Sequence, residues 1–487
     1  MKTSPGLDER IKASLVGAAA GAELAYSRWI HPDWFKAAEP SAVPRLPLRP
    51  AGKHKEEHGR LMAFPFRPLV ELGVDAYIRK NGRVMPEDFA PLFAASRAIA
   101  YPSFALDSLH TTQEVLKEGM HPRLGGMGNA PCGIVSAMMP AVGIYHFADA
   151  EHAYLDGVEL ASVTQPRLGA DWAGLGAAAI AAAFEQGATP DTVVAAVLKL
   201  AHENNKDVFY DMNQPVRQGQ GRAGDEKEFL KWWMTSGAKL RGAGQTSWAG
   251  YNPVQYALIP LKLFGPRKDE YLAVVLAPEP EGFTQWFTGG FTLSAIIGGA
   301  VQGALYGMDA FSHETLLWAE PMARPWFRLA KVVAGRVKKE AAIISVIDRL
   351  ERRKKSGVTL LRDKICGNIL AGAIGNAMGS PVEGKFYWEI DKEHPRGITT
   401  VLQPERLESE DDNQMAMLLT ETYLEREGRP VMARHFGKTW RDRLNRDHFF
   451  PLCMGNAYDM LRQGWDPRIS GHWSVVTGST VMCMEPV

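Results

Sequence analysis

SEDDNQMAMLLTETYLEREG, Ser409 to Gly428, opens on three consecutive carboxylates, Glu410, Asp411 and Asp412, and runs directly into a helical pattern. Met415, Leu418, Leu419 and Tyr423 recur at i, i+3, i+4 and i+8, which predicts one apolar helix face. Thr420, Glu421 and Glu427 give the opposite face its polarity, and Gly428 is a natural stop. Ser409 or Asp412 can cap the start. Three adjacent acids repel one another unless a helix terminus or a cation compensates them. The plain reading is a solvated first helical turn. The sharper one is a grip on a hard cation such as Mg²⁺, Mn²⁺ or Ca²⁺, which takes carboxylate oxygens.

Composition bounds the rest. At 487 residues the chain is long for one core, so two or more domains are expected. Hydrophobic residues make up 46% and charged residues 23%, the balance of a soluble globular protein. A formal net charge of +0 points to neither a nucleic-acid nor an anionic-membrane partner. Cys132, Cys366, Cys453 and Cys483 form no CxxC pair, which argues against a disulfide framework or zinc knuckle and for a reducing compartment. The start, MKTSPGLDERIK, has no apolar signal core, and the expected location is cytoplasmic. Phe291 to Met308, the longest apolar run, carries Thr292, Ser294 and Gln302, and so reads as a buried Gly/Ala-rich helix rather than a membrane span.

The other segments are also mostly helical. Arg10 to Tyr26 is a small-residue helix in which Gly17 and Gly21 share a face, permitting close backbone approach. Glu39 to Arg60 reads as a loop, and Arg60 to Asn81 as a helix delayed or kinked by Pro65 and Pro68. Gly174 to Glu185 and Asp191 to His202 have strong helix formers. Asn213 to Tyr251, rich in Gly, Gln and Trp, reads as a long loop, and Tyr271 to Leu276, YLAVVL, as a short strand. Arg352 to Lys355 is a basic run with the character of a solvated face.

The chain then begins again. Ile365 to Gly384, ICGNILAGAIGNAMGSPVEG, parallels Ile11 to Ser27. Their offset falls slowly, from 354 (Gly375 against Gly21) through 353 (Met415 against Met62) and 346 (Gly428 against Gly82) to 345 (Val487 against Val142). Four blocks in one order with a drifting offset are a repeat. The expected organisation is a first copy over 1–311, a linker over 312–361 and a second copy over 362–487. The first copy continues beyond Val142 to Phe311, so on this alignment the second is an N-terminal part of a domain, with helix faces left to be covered.

GNILAGAIGNAMGSPVEG followed by EDDNQMAM resembles the ADP-ribosylglycohydrolase family, which includes the dinitrogenase-reductase-activating glycohydrolases. That family opens with a GDAxGxxxE-like loop, then a T-D-D motif at a helix start, a Gly-Ser segment and a late G-D-x-D-(T/S) motif. The resemblance implies an all-α bundle with a dinuclear Mg²⁺ or Mn²⁺ site that hydrolyses the N- or O-glycosidic bond of a ribofuranose, typically an ADP-ribosyl group. Its partner is a small-molecule or protein-linked riboside. By this resemblance Glu410, Asp411 and Asp412 take the T-D-D positions as metal ligands, with Glu for Thr. Glu383 takes the loop glutamate as the catalytic carboxylate, and Asn376 stands for the loop aspartate near the substrate. Gly478 and Ser479 match the Gly-Ser segment, whose backbone can approach a phosphate or ribose. In the first copy Glu57, His58 and Gly59 fall on T-D-D, Ala22 on the loop aspartate, and Phe291 and Leu293 on the late aspartates. Phe and Leu cannot ligate a hard cation. That copy is therefore expected to be a complete fold with a dead metal site.

Two rivals stand beside this reading. His54 to His58, HKEEH, matches the inverted zinc-protease pattern H-x-x-E-H, but it follows a Pro-rich loop and is followed at once by Gly59. The other is a non-catalytic pseudo-enzyme that binds a nucleotide or sugar, or serves as a scaffold.

Overall fold

The computed structural model describes residues 6–48, 50, 66–96, 107–129, 131, 133–236, 252–278, 293–355, 357–404, 411–446, 454–472, 474 and 484. The chain divides into two compact units, Met1–Val337 and Lys338–Val487. The architecture is all-α. Among the described residues the strands are two short ones, β1 (Lys354–Lys355) and β2 (Val358–Thr359), paired antiparallel.

In the first unit the helices run α1 (Leu7–Ile30), α2 (Phe66–Lys80), α3 (Pro86–Ala95), α4 (Asp107–Lys117), α5 (Met139–Tyr145), α6 (Ala150–Ala161), α7 (Arg167–Ala183), α8 (Pro190–Asn204), α9 (Lys206–Gly221), α10 (Glu226–Ser236), α11 (Pro253–Leu258), α12 (Leu261–Phe264), α13 (Asp269–Leu276), α14 (Ser294–Tyr306), α15 (His313–Ala323) and α16 (Leu329–Arg352). The unit boundary falls within α16, so the segment expected to link the copies is itself largely helical.

The central pair is α1 against α14. A methyl group added at Gly17 would overlap the carbonyl of Gly299, one at Gly21 that of Ala295, and one at Gly303 that of Ala13. The seam is therefore backbone against backbone, the close approach that the glycine spacing predicts. Every α14 residue from Ser294 to Ala304 is buried. Arg10 and Arg28 tie the two ends of α1 to other helices. Arg10 donates to the carbonyls of Ala304 (2.6 Å), Ala183 (2.6 Å) and Phe184 (3.2 Å), and Arg28 to those of Leu276 (2.9 Å) and Pro278 (3.2 Å). Each guanidinium thus satisfies carbonyls at or beyond a helix C-terminus, where a cation is favoured.

Two local expectations are corrected. Tyr271 to Leu276 is helical, within α13, and wholly buried. An apolar run this short carries no period that separates a buried strand from a buried helix, and packing decides. Here the Tyr271 hydroxyl donates to Ala257 O at 2.7 Å, and Trp233 Nε1 donates to Val274 O at 2.7 Å. The stretch expected to loop from Asn213 is helical through most of α9 and α10, and residues 237–251 lie outside the described residues. Val208, Met212, Val216 and Gly219 are buried at helical spacing, a stripe hidden among Gln, Asn and Gly. Asn205 Oδ1 caps it by accepting from Val208 N–H at 3.2 Å.

The second unit contains α17 (Leu360–Gly379), α18 (Tyr387–Glu393), α19 (Asp411–Arg426), α20 (Ala433–Arg443) and α21 (Asn456–Arg462). Its core gathers Met415, Leu418 and Leu419 with Trp440, Leu444, Met454, Ala457 and Leu461. Thr422, not Tyr423, completes the buried stripe of α19, because i+7 lies nearer the stripe axis than i+8. The Thr422 hydroxyl donates to Thr439 Oγ1 at 2.9 Å and joins α19 to α20. α17, which the sequence reading sets against α1, has no buried residue, and Ile365, Ile369, Leu370 and Ile374 are all exposed. α2 and α19 end alike, on non-glycine residues in the left-handed region, Asn81 (φ 51°) and Glu427 (φ 50°).

Candidate functional site

Asp411 and Asp412 open α19, where the helix N-terminus favours negative charge. Asp411 Oδ1 accepts from the backbone N–H of Asp412 at 3.2 Å, so the first acid helps cap the turn. Asn376 lies near the C-terminus of α17, where its backbone carbonyl accepts from Ser380 N–H. Its side-chain Nδ2 donates to Asp412 Oδ2 at 2.7 Å. Its Oδ1 accepts from Nδ2 of Asn413 at 3.2 Å. These groups are half-buried. Two motifs read separately in the sequence, the small-residue loop and the acid-led helix, meet here through one amide.

The direction of this chain of hydrogen bonds follows from chemistry. A carboxylate only accepts, so the NH₂ end of Asn376 faces Asp412; its carbonyl end is then left to accept from Asn413. The amide dipoles of Asn413 and Asn376 line up head to tail towards the carboxylate, an arrangement in which each bond polarises the next. Asn413 has no place in the sequence reading. Its signal was its position directly after the paired aspartates, on a turn that already faced a partner.

The other predicted residues fall elsewhere. Glu383 is exposed at the end of the short turn Ser380–Val382, with Gly384 following at φ 76°. Among the described residues no hydrogen bond or ion pair joins Glu383 to Asp411 or Asp412. Glu410, Gly478 and Ser479 lie outside the described residues, as do Glu57, His58 and Gly59, His54 of the zinc-type pattern, and Phe291. In the first unit Ala22 and Leu293 are both buried.

Fitness for a cation is decided by donor chemistry. Asp411 and Asp412 present hard carboxylate oxygens, the class that Mg²⁺ and Mn²⁺ take, while the Asn376 amide turns an N–H, not its oxygen, to Asp412. Among the described residues, no group of three or more His, Cys, Asp or Glu side chains is gathered as a metal site. The aspartate pair are thus the described donors on which a cation would rest, and their oxygens fit in kind. No helix among the described residues is long and apolar enough to cross a membrane.

The first unit holds a second polar cluster, with Asp156 and His146 buried and Arg83 reaching the surface. Asp156 accepts from Arg83 Nε (2.8 Å) and Nη2 (2.6 Å) and lies 2.8 Å from His146 Nε2. Burial pushes its carboxyl up, but the bonds from His146 and Arg83 outweigh that and hold it at about 2. Burial also keeps His146 below its ordinary value, against the pull of Asp156. A neutral His146 therefore carries its proton on Nε2 and donates it to Asp156. Arg123 pairs with Glu159 and, at 2.8 Å, with Glu87. With the Arg83–Asp156 pair, these tie α6 to the loop before α3 and to the turn at Pro122–Leu124, and that turn to α3.

A solved structure named "ADP-ribosylglycohydrolase-related protein complex" aligns with 67% of this chain and 99% of its own at 15% identity, with a TM-score of 0.41. No curated protein gives a significant match. The family model described as ADP-ribosylglycohydrolase matches residues 358–487, a span that includes α17, Asn376, Glu383 and the aspartates of α19. Residues 358–487 are thus an ADP-ribosylglycohydrolase-family domain segment.

Proposed function

We propose that the second unit is the working part of a divalent-metal-dependent glycohydrolase acting on a ribofuranosyl N- or O-glycosidic bond, of ADP-ribosyl or related type. The observation that carries this reading is the 2.7 Å bond from Asn376 to Asp412, which joins the two family motifs at one point. A cation, when bound, supplies the positive charge against which a sugar diol and an attacking water are aligned. Asp411 and Asp412, with Glu410, are the groups that hold it, and Asn376 fixes the rotamer of Asp412. Glu383 lies on an exposed turn, open to solvent. It acts as the carboxylate that stabilises positive charge building at the anomeric carbon. Gly478 and Ser479 offer backbone amides to a phosphate or ribose.

The test is turnover of a panel of arginine-, serine- and nucleotide-linked ADP-ribosides with Mg²⁺ or Mn²⁺. Asp411→Asn and Asp412→Asn should each cut turnover by at least about a hundredfold, since each removes a charged ligand. Equal rates in wild type and both variants reject the assignment.

The pseudo-enzyme reading has one observation in its favour: an amide, Asn376, stands where the resemblance expects an acid, and it is already committed to Asp412. Isothermal titration with ADP-ribose, with and without Mn²⁺, separates the two. Metal-independent binding without turnover favours the binding module.

A further inference from the structure

We propose that Asn376 is a positioning residue that sets the cation affinity of the aspartate pair, its amide doing by hydrogen bond part of what a cation otherwise does for Asp412. This rests on the metal-centre reading above. Asn376 Nδ2 sits 2.7 Å from Asp412 Oδ2, so one oxygen of that carboxylate is committed to an N–H donor. Asn413 Nδ2 holds the far end of the same amide at 3.2 Å, and the backbone carbonyl of Asn376 is tied to Ser380 N–H. The amide is therefore held at both ends and does not turn away. Asp411 Oδ1 is likewise engaged by the N–H of Asp412.

Replacing the amide with a carboxylate changes the balance. Asp at 376 would set two carboxylates side by side, with no N–H between them. Like charges at that separation demand a cation or a shared proton. A cation then gains an extra anionic oxygen ligand and relieves the repulsion. Asn376 thus makes the apo state comfortable and lowers the advantage of binding metal, while keeping Asp412 correctly aimed. Asn413 is the support that keeps Asn376 in that pose.

The experiment is Mn²⁺ titration of the full chain, followed by calorimetry and by the electron paramagnetic resonance of free Mn²⁺. Circular dichroism melts control for folding. Asn376→Asp should bind Mn²⁺ about tenfold more tightly than wild type, the range over which neighbouring groups tune metal affinity. Asn376→Ala, which removes the amide donor and with it the aim of Asp412 without adding charge, should bind no more tightly than wild type, and Asp412→Asn should abolish binding. Equal or weaker binding by Asn376→Asp, with Asp412→Asn still abolishing it, overturns this inference and leaves the metal centre standing. Binding by Asn376→Asp alone, with none by wild type, supports it in its strongest form. If neither wild type nor Asn376→Asp takes up Mn²⁺, the metal centre itself falls and this inference with it.

Discussion

At the scale of single residues, the chain uses the same device twice: a carboxylate held by neutral or cationic donors rather than left to repel. At Asp412 the donor is the Asn376 amide. At Asp156 the donors are Arg83 and His146. The second case fixes a pH dependence. The Asp156 carboxyl titrates at about 2, below its ordinary 3.8, so the stability it contributes is whole above pH 3.8 and is lost as pH falls from 3.8 through 2. His146 is also lowered, so it too favours the folded state more above its ordinary 6.5 and costs stability as pH falls below that value. Both groups make acid destabilising. Asp156→Asn should cost about 3 kcal/mol at pH 7, because it leaves a buried His and a half-exposed Arg without their acceptor charge. It should also flatten the loss of stability below pH 4. Urea melts between pH 3 and 7 measure both, and a cost under about 0.5 kcal/mol would show the cluster to be ornamental.

At the scale of elements, the decisive contact is the α1–α14 seam. Gly17 faces Gly299 so closely that no side chain fits between the helices. Gly17→Val should therefore destabilise the first unit by about 3 kcal/mol or more, chiefly by forcing the helices apart. Gly6→Ala, where nothing lies within 4 Å, should be close to neutral. Thermal melts of the two variants give the comparison, and equal midpoints would refute the close-packed seam. The glycine spacing predicted this contact because a stripe of small residues has one obvious use. The buried stripe of α9 was not legible in the same way, since its apolar residues are thinned by Gln, Asn and Gly and only their spacing carries the signal. YLAVVL failed for the opposite reason: every position from Tyr271 to Leu276 is buried, so no polar side remained to reveal the period.

At the scale of the whole molecule, two units carry unequal cores. α1 is buried over most of its length, whereas α17 has no buried residue. Amide protection follows burial and packing. Hydrogen exchange should accordingly be fast over Leu360–Gly379 and slow over Leu7–Ile30, and equal protection in the two helices would mean that α17 is covered in solution. The all-α class, the close-packed glycine helix, the acid-led helix at Asp411 and the family resemblance of the second unit were all readable in the linear chain. Each rests on local spacing or on residue types whose chemistry is the same wherever they sit. The meeting of Asn376 with Asp412, the part played by Asn413, the helical state of Tyr271–Leu276 and the Asp156 cluster were decided only by the tertiary structure. They join residues from separate elements or turn on packing, and a chain read in one dimension holds no record of which side chains its folding will bring within hydrogen-bonding distance.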